Sequence, residues 1–188
     1  TSEIDIKLNE SLTKIISTCE RIAKIIKGLQ AFSRDSFNDP ISLCSIQKII
    51  NNTIELCNER LKIKNIDLRI LPFVDFEINC REVQLAHVLM NLLNNSYDAI
   101  DENNEKWIQV EVKDLGNKIL IIISDSGKEI PDEVASKIMQ PFYTTKDVGK
   151  GTGLGLSISK GIVEAHKGKF YLDRNASNTT FIIELPKK

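Results

Sequence analysis

Gly149-Lys150-Gly151-Thr152-Gly153-Leu154-Gly155-Leu156-Ser157 runs directly into an amphipathic stretch over 158–166. Glycines at alternate positions let backbone N–H groups turn toward an anion, and the helix that follows adds the positive end of its dipole. The stretch reads as a phosphate cradle that opens a helix. It is not a P-loop, because no Gly-Lys-Ser/Thr follows at the required spacing, and it does not follow a strand as a dinucleotide fingerprint would. The interleaved leucines set it apart from a flexible linker.

Immediately upstream stands Pro141-Phe142-Tyr143-Thr144-Thr145-Lys146. Its hydroxyls and ammonium suit phosphates and its aromatics suit the anchor of a mobile lid; a surface loop with aromatic packing fits the residues equally. Further back, an apolar strand over 118–124 runs into Asp125-Ser126-Gly127-Lys128-Glu129-Ile130-Pro131. A carboxylate fixed at the end of a buried strand can accept from an exocyclic amine such as that of adenine; a turn in which Asp125 bonds its own backbone is the other reading. On a helix predicted over 80–101, Leu85, Leu89, Leu92, Ser96 and Ala99 share one face, while Asn91, Asn95 and Asp98 form a second stripe at i, i+4, i+7. Amide oxygens are hard, neutral ligands, and a nucleotide-bound Mg²⁺ takes few protein oxygens. The stripe is either such a site or a solvated polar face.

The remaining pattern gives the architecture. Short strands are predicted from Ile41 and near 66–70, 74–78, 107–113, 118–124, 169–173 and 179–185, with helices over 45–63, 80–101 and 153–166. This uneven alternation favours an α/β (α+β) fold, a two-layer sandwich with a mixed sheet and three main helices, over a doubly wound parallel sheet. Ahead of it, Leu8, Leu12, Ile15, Cys19, Ile22, Ile26 and Leu29 follow at spacings of 4, 3, 4, 3, 4, 3, a heptad seam on one long coiled-coil-like helix over 3–34. Ile16, Ala23 and Ile25 widen the stripe, as burial among several helices requires. The turn residues and proline of 35–40 separate the two parts.

Composition narrows the function classes. The 188 residues, 41% hydrophobic and 27% charged, suit one ordinary domain plus an appended element. A formal charge of −1, with Lys and Arg spread along the chain, argues against nucleic acid or an anionic membrane as a partner. The longest apolar run, 119–123, is far short of the roughly 20 residues that span a bilayer. Cys19, Cys44, Cys57 and Cys80 form no C-x-x-C pair, so a reducing, cytoplasmic setting is expected. The sequence begins at Thr1 rather than Met, from which we expect a fragment whose upstream part carries a sensor or membrane anchor.

The blocks VLMNLLNNSYDAI, DSGKEIP, PFYTTK and GKGTGLGLSISKGIVEAHKG stand in an order that resembles the catalytic domain of sensor histidine kinases, a superfamily shared with gyrase, MutL and the heat-shock chaperone ATPases. The resemblance covers about 41–186 and implies ATP held between sheet-side groups and a lid. It makes Asn95 the principal Mg²⁺ ligand with Asn91 its neighbour, and it places Asp98 in the same pocket. Asp125 becomes the adenine-recognising carboxylate, with Gly127 permitting close approach of the base and Ile130 beside it. Thr145 and Lys146 lie in the lid, Gly151, Thr152, Gly153, Leu154, Gly155 and Leu156 form the phosphate loop, and Thr180 lies near adenine.

In the hydrolysing relatives a glutamate at the Asn91 position activates water, whereas an amide cannot act as a general base. Transfer of the ATP γ-phosphoryl to a protein histidine is therefore expected, by positioning and charge neutralisation. The segment 20–34 looks like the second helix of a dimerisation hairpin, which makes 1–36 a partial dimerisation helix and 37–188 the catalytic domain. It implies a homodimer through that helix and a response regulator as partner, with any membrane attachment confined to upstream segments. The H-E-x-x-x-P motif of a phosphoacceptor helix is absent from the sequence, and neither His87 nor His166 has the adjacent acid of an acceptor. Glu129 stands where the family has a second glycine; if that position needs φ > 0, a side chain there costs about 1 kcal/mol and weakens ATP binding. A degenerate nucleotide-binding module that regulates a partner without phosphotransfer is the alternative.

Overall fold

A computed structural model describes residues 8–13, 15, 16, 18, 19, 40–147 and 151–187. Residues 8–13, 15, 16, 18 and 19 are helical, and Leu8, Leu12 and Ile15 of the heptad seam, with Ile16 beside them, stand 46–59% exposed. The rest of the predicted long helix, the 35–39 part of the hinge and the domain boundary at 36/37 lie outside the described residues.

Strand β1 (Ser42–Ser45) pairs antiparallel with β3 (Glu77–Cys80) in a small two-stranded sheet. Helix α1 (Ile46–Ile63) starts where Ser45 accepts from the Lys48 N–H, and Asp75 completes the cap by accepting from the Gln47 N–H at 3.0 Å and the Ser45 hydroxyl at 2.7 Å. Its apolar stripe, Ile46, Ile49, Ile50, Cys57 and Leu61, is buried at helical spacing. Because Asp75 is held at that cap, the strand expected at 74–78 forms instead at 77–80.

The main sheet has the order β2 (Asp67–Ile70), β4 (Trp107–Asp114), β5 (Lys118–Lys128), β7 (Asn178–Pro186), β6 (Lys169–Leu172). β2 runs parallel to β4 and the other pairs are antiparallel, so the sheet is mixed. Alternation along β4 sends Ile108, Val110 and Val112 into the core. There they meet α1, α2 (Glu82–Ala99) and α4 (Gly155–Ala165), the three main helices of the expected two-layer sandwich.

Two departures from the sequence reading shape the site. β5 does not stop at Ser124 but continues through Asp125 to Lys128, with a register shift against β7 between Ser124 and Lys128. A bulge of this kind re-aims side chains at a sheet's working end. Between β5 and the glycine loop, where no element is predicted, stands a short helix, α3 (Asp132–Ala135).

Candidate functional site

A cleft of about 570 Å³ opens between α2, the end of β5 with α3, and the segments 143–146 and 151–156. Of the fifteen residues expected at the site, thirteen line it: Asn91, Asn95, Asp98, Asp125, Gly127, Ile130, Thr145, Lys146, Gly151, Thr152, Gly153, Gly155 and Leu156. Leu154 and Thr180 do not. The Leu154 side chain is buried in the interior, and what it brings to the loop is backbone: its carbonyl accepts from the Ile158 N–H and the Ser157 hydroxyl. Thr180 pairs with Ser124 across the β5–β7 ladder and donates its hydroxyl to the Ser124 Oγ at 3.0 Å, on the sheet face away from the cleft. Its neighbours Thr179 and Phe181 line the cleft, as the period of two requires.

One end of the cleft is built around Asp125. The carboxyl is 1% exposed, its Oδ1 accepts from the Gly127 N–H at 2.8 Å, and Ser96 donates to it from α2. Burial pushes its pKa above the usual carboxylate range, against those two hydrogen bonds. Gly127 is required by space: a Cβ there would fall 2.6 Å from Asp125 Oδ1 and 3.2 Å from Thr179 Oγ1. Thr179 donates to the Lys128 carbonyl and Asn178 to the Gly127 carbonyl, which fixes the backbone beyond the bulge. Ile130, Val134 and Ile138 add apolar surface to the same cleft. A buried carboxylate beside an apolar wall suits a flat heterocycle bearing an amine.

The strain expected at Glu129 does not arise. Among the described residues the non-glycine positions with left-handed φ are Asn65, Phe142 and Lys167, so the extra side chain at Glu129 carries no backbone cost.

The other end gathers polar groups. Asn91 donates from Nδ2 to the Ser159 Oγ at 2.9 Å, and a Cβ at Gly155 would sit 2.2 Å from Asn91 Oδ1, so the glycine loop packs directly on this amide. Lys146 reaches back to α2, with Nζ 2.5 Å from Asp98 Oδ2 and 3.4 Å from Asn95 Oδ1. Gly153 has φ +66° and faces the backbone of Phe142, itself at φ 67°, whose N–H donates to the Gly153 carbonyl at 2.8 Å. Helix α4 begins at Gly155 with no side-chain cap, so its first N–H groups are left for another acceptor.

An ammonium resting on Asn95 Oδ1 and Asp98 Oδ2 shows that these oxygens accept a cation. They fit Mg²⁺, which takes one or two protein oxygens and completes its octahedron with phosphate and water.

Neither histidine offers a free nucleophile at the cleft. His166 is buried, with Nδ1 on the Ile162 carbonyl at 2.8 Å and Nε2 accepting from the Arg81 N–H at 3.0 Å. His87 is part-buried on α2, and burial lowers its pKa below the ordinary value.

The family model for histidine kinase-, DNA gyrase B- and HSP90-like ATPases matches residues 80–188. The chain belongs to this family. The solved catalytic domain of histidine kinase ThkA is 32% identical with a TM-score of 0.69, over 78% of this chain and 97% of that one. ThkA in complex with the response regulator protein TrrA is 26% identical with a TM-score of 0.73, covering 96% of this chain and 52% of that one. Among curated relatives, sensor protein FixL of Bradyrhizobium diazoefficiens is 31% identical over 185 residues, which are 96% of this chain and 36% of the relative. The C4-dicarboxylate transport sensor protein DctB of Rhizobium meliloti is 28% identical over 179 residues, 95% of this chain and 28% of the relative. The chain thus spans about a third of such sensor proteins or less. Its cleft belongs to an ATPase domain of the histidine kinase type, and the residues matched by the family model include α2, the bulged end of β5 and the glycine loop.

The sequence reading missed Thr179 by one position and took Ser96 only as part of the core-facing stripe. Both stand where a core face meets the cleft. The signal that was available is the i, i+2 relation between Thr179 and Phe181.

Proposed function

We propose that this chain is the ATP-binding catalytic part of a two-component sensor histidine kinase, passing the ATP γ-phosphoryl group to a histidine outside the sequence described. One observation carries the reading. A single cleft has a buried carboxylate with an apolar wall at one end, and amides, a lysine and an uncapped helix N-terminus at the other.

In this reading Asp125 accepts from the adenine amine, with Thr179 and Gly127 shaping the base pocket. Asn95 provides the oxygen for Mg²⁺ with Asn91 beside it, and Mg²⁺ neutralises phosphate charge when bound. Lys146 and the N–H groups from Gly151 to Leu156 hold the phosphates. Asn91 cannot act as a general base, so the site positions the nucleotide for transfer instead of activating water.

Residues 1–36 would form the second helix of a dimerisation hairpin and 37–188 the catalytic domain. The exposed Leu8, Leu12 and Ile15 support a homodimer through that helix. A response regulator is the natural partner, since the similar kinase ThkA was solved in complex with one. No helix among the described residues is long and apolar enough to cross a membrane, which fits a cytoplasmic catalytic part attached to a membrane, if at all, through upstream segments. A purely regulatory nucleotide-binding module keeps the absent phosphoacceptor motif in its favour but loses the support of backbone strain at Glu129.

The test is to incubate the chain with ATP labelled at the γ-phosphate, Mg²⁺ and the histidine-bearing hairpin of its own sensor. Acid-labile, base-stable label on the hairpin is expected. Release of the label as inorganic phosphate, with none on protein, would overturn the reading.

A further inference from the structure

Lys146 does not point into solvent. Its Nζ lies 2.5 Å from Asp98 Oδ2 and 3.4 Å from Asn95 Oδ1, and the lysine and aspartate side chains are 33% and 40% exposed. Asn95 Oδ1 is also the oxygen assigned above to the divalent cation, so the Lys146 ammonium and that cation share one acceptor. The backbone beneath is pinned. The Lys146 N–H donates to Thr144 Oγ1 at 3.2 Å, and a Cβ at Gly151 would lie 2.6 Å from Thr144 Oγ1 and 3.3 Å from Lys146 Cβ. The phosphate loop thus presses on the turn that carries Lys146, and the lysine can change partners by side-chain rotation alone.

We propose that Asp98 is a positioning residue, which holds the Lys146 ammonium on Asn95 while the cleft is empty and releases it to the phosphates when nucleotide binds. This deepens the nucleotide reading above and rests on it. Charge balance gives the reason for the exchange. A triphosphate brought beside Asp98 meets a like charge, and moving the lysine onto the phosphates strips Asp98 of its counter-ion. A hydrated divalent cation at Asn95 restores positive charge at the place the lysine left. Asp98 therefore competes with the nucleotide for Lys146.

The test is a double-mutant cycle on this chain, read by calorimetric titration with a non-hydrolysable ATP analogue and Mg²⁺. Wild type, Asp98→Asn, Lys146→Met and the double variant are compared. Removing the Asp98 charge should favour binding by about three- to fivefold more when Lys146 is present than when it is methionine, the range expected for a part-exposed ion pair. Equal factors in the two backgrounds, with wild type binding nucleotide, would overturn the exchange and leave the nucleotide site standing. A wild type that binds no nucleotide would instead overturn the nucleotide reading and with it the transfer of the lysine. A second measurement needs no nucleotide. The ¹⁵N spectrum of lysine side chains should show a Lys146 ammonium signal that moves in Asp98→Asn, and an unmoved signal would overturn the proposal.

Discussion

Replacing Gly153 by alanine tests how the glycine loop is held. A Cβ at this position would lie 2.4 Å from the Phe142 carbonyl carbon, 2.6 Å from its oxygen and 2.8 Å from its Cα. These are backbone atoms, which cannot swing aside as the end of a side chain can, so the two segments must separate. Gly153 also has φ +66°, a conformation that costs alanine about 1–2 kcal/mol. Separation breaks the hydrogen bond from the Phe142 N–H to the Gly153 carbonyl, worth about 1 kcal/mol more. The sum of about 2–3 kcal/mol corresponds to a roughly 30- to 150-fold loss of nucleotide affinity, at about 1.4 kcal/mol per tenfold. Titration with a non-hydrolysable ATP analogue and Mg²⁺ reads this directly. An alanine variant that binds within about threefold of wild type would refute the view that this left-handed turn shapes the cradle. Gly161, in the middle of α4, is the contrasting case, since a Cβ there meets nothing within 4 Å.

Gly161→Ala should leave nucleotide affinity unchanged and stabilise the fold by about 0.5–1 kcal/mol, measured by denaturant unfolding. Thr179→Val should weaken nucleotide binding several-fold. Thr180→Val should leave it within about twofold while costing about 1 kcal/mol of stability, because the hydroxyl that Thr180 shares between Ser124 Oγ and the Asn178 carbonyl is lost. For Asp125 the sign is unusual for an acid. Its pKa is raised in the folded protein by burial, so it contributes stability at low pH that is lost as pH rises through the folded value and the buried carboxyl ionises. Asp125→Asn cannot ionise, so without nucleotide it should melt higher than wild type at neutral pH. The gap should close as pH falls toward the ordinary carboxylate range, which thermal melts across pH will show.

The parts of this molecule that could be read from sequence are those whose signal is local. The Asn91, Asn95, Asp98 stripe follows from helical periodicity alone, and the glycine loop from its spacing and the helix behind it. The long apolar runs of β4 and β5 and the helical stripe of α1 carried the two-layer architecture for the same reason. What escaped depends on distant partners. The strand at 77–80 is displaced because Asp75 caps a helix 28 residues earlier in the chain. The choice between Thr179 and Thr180 turns on the β5–β7 register, which shifts between Ser124 and Lys128. Two adjacent threonines give no local clue to which faces the cleft. At Glu129 the expectation of strain rests on a family glycine, and the position is not among those with left-handed φ, so the backbone itself does not call for one. The reach of Lys146 to Asp98, 48 residues away in sequence, was likewise invisible before the fold brought α2 under the segment at 143–146.

In the proposed function the cleft holds a nucleotide by its base at Asp125 and by its phosphates at α2 and the glycine loop. The most direct measurement is calorimetric titration of this chain with a non-hydrolysable ATP analogue and Mg²⁺, alongside Asp125→Asn. One molecule bound per chain by wild type, with binding lost in a variant that remains folded, is the predicted result. No binding by a folded wild type, or equal affinity in both proteins, would contradict the account.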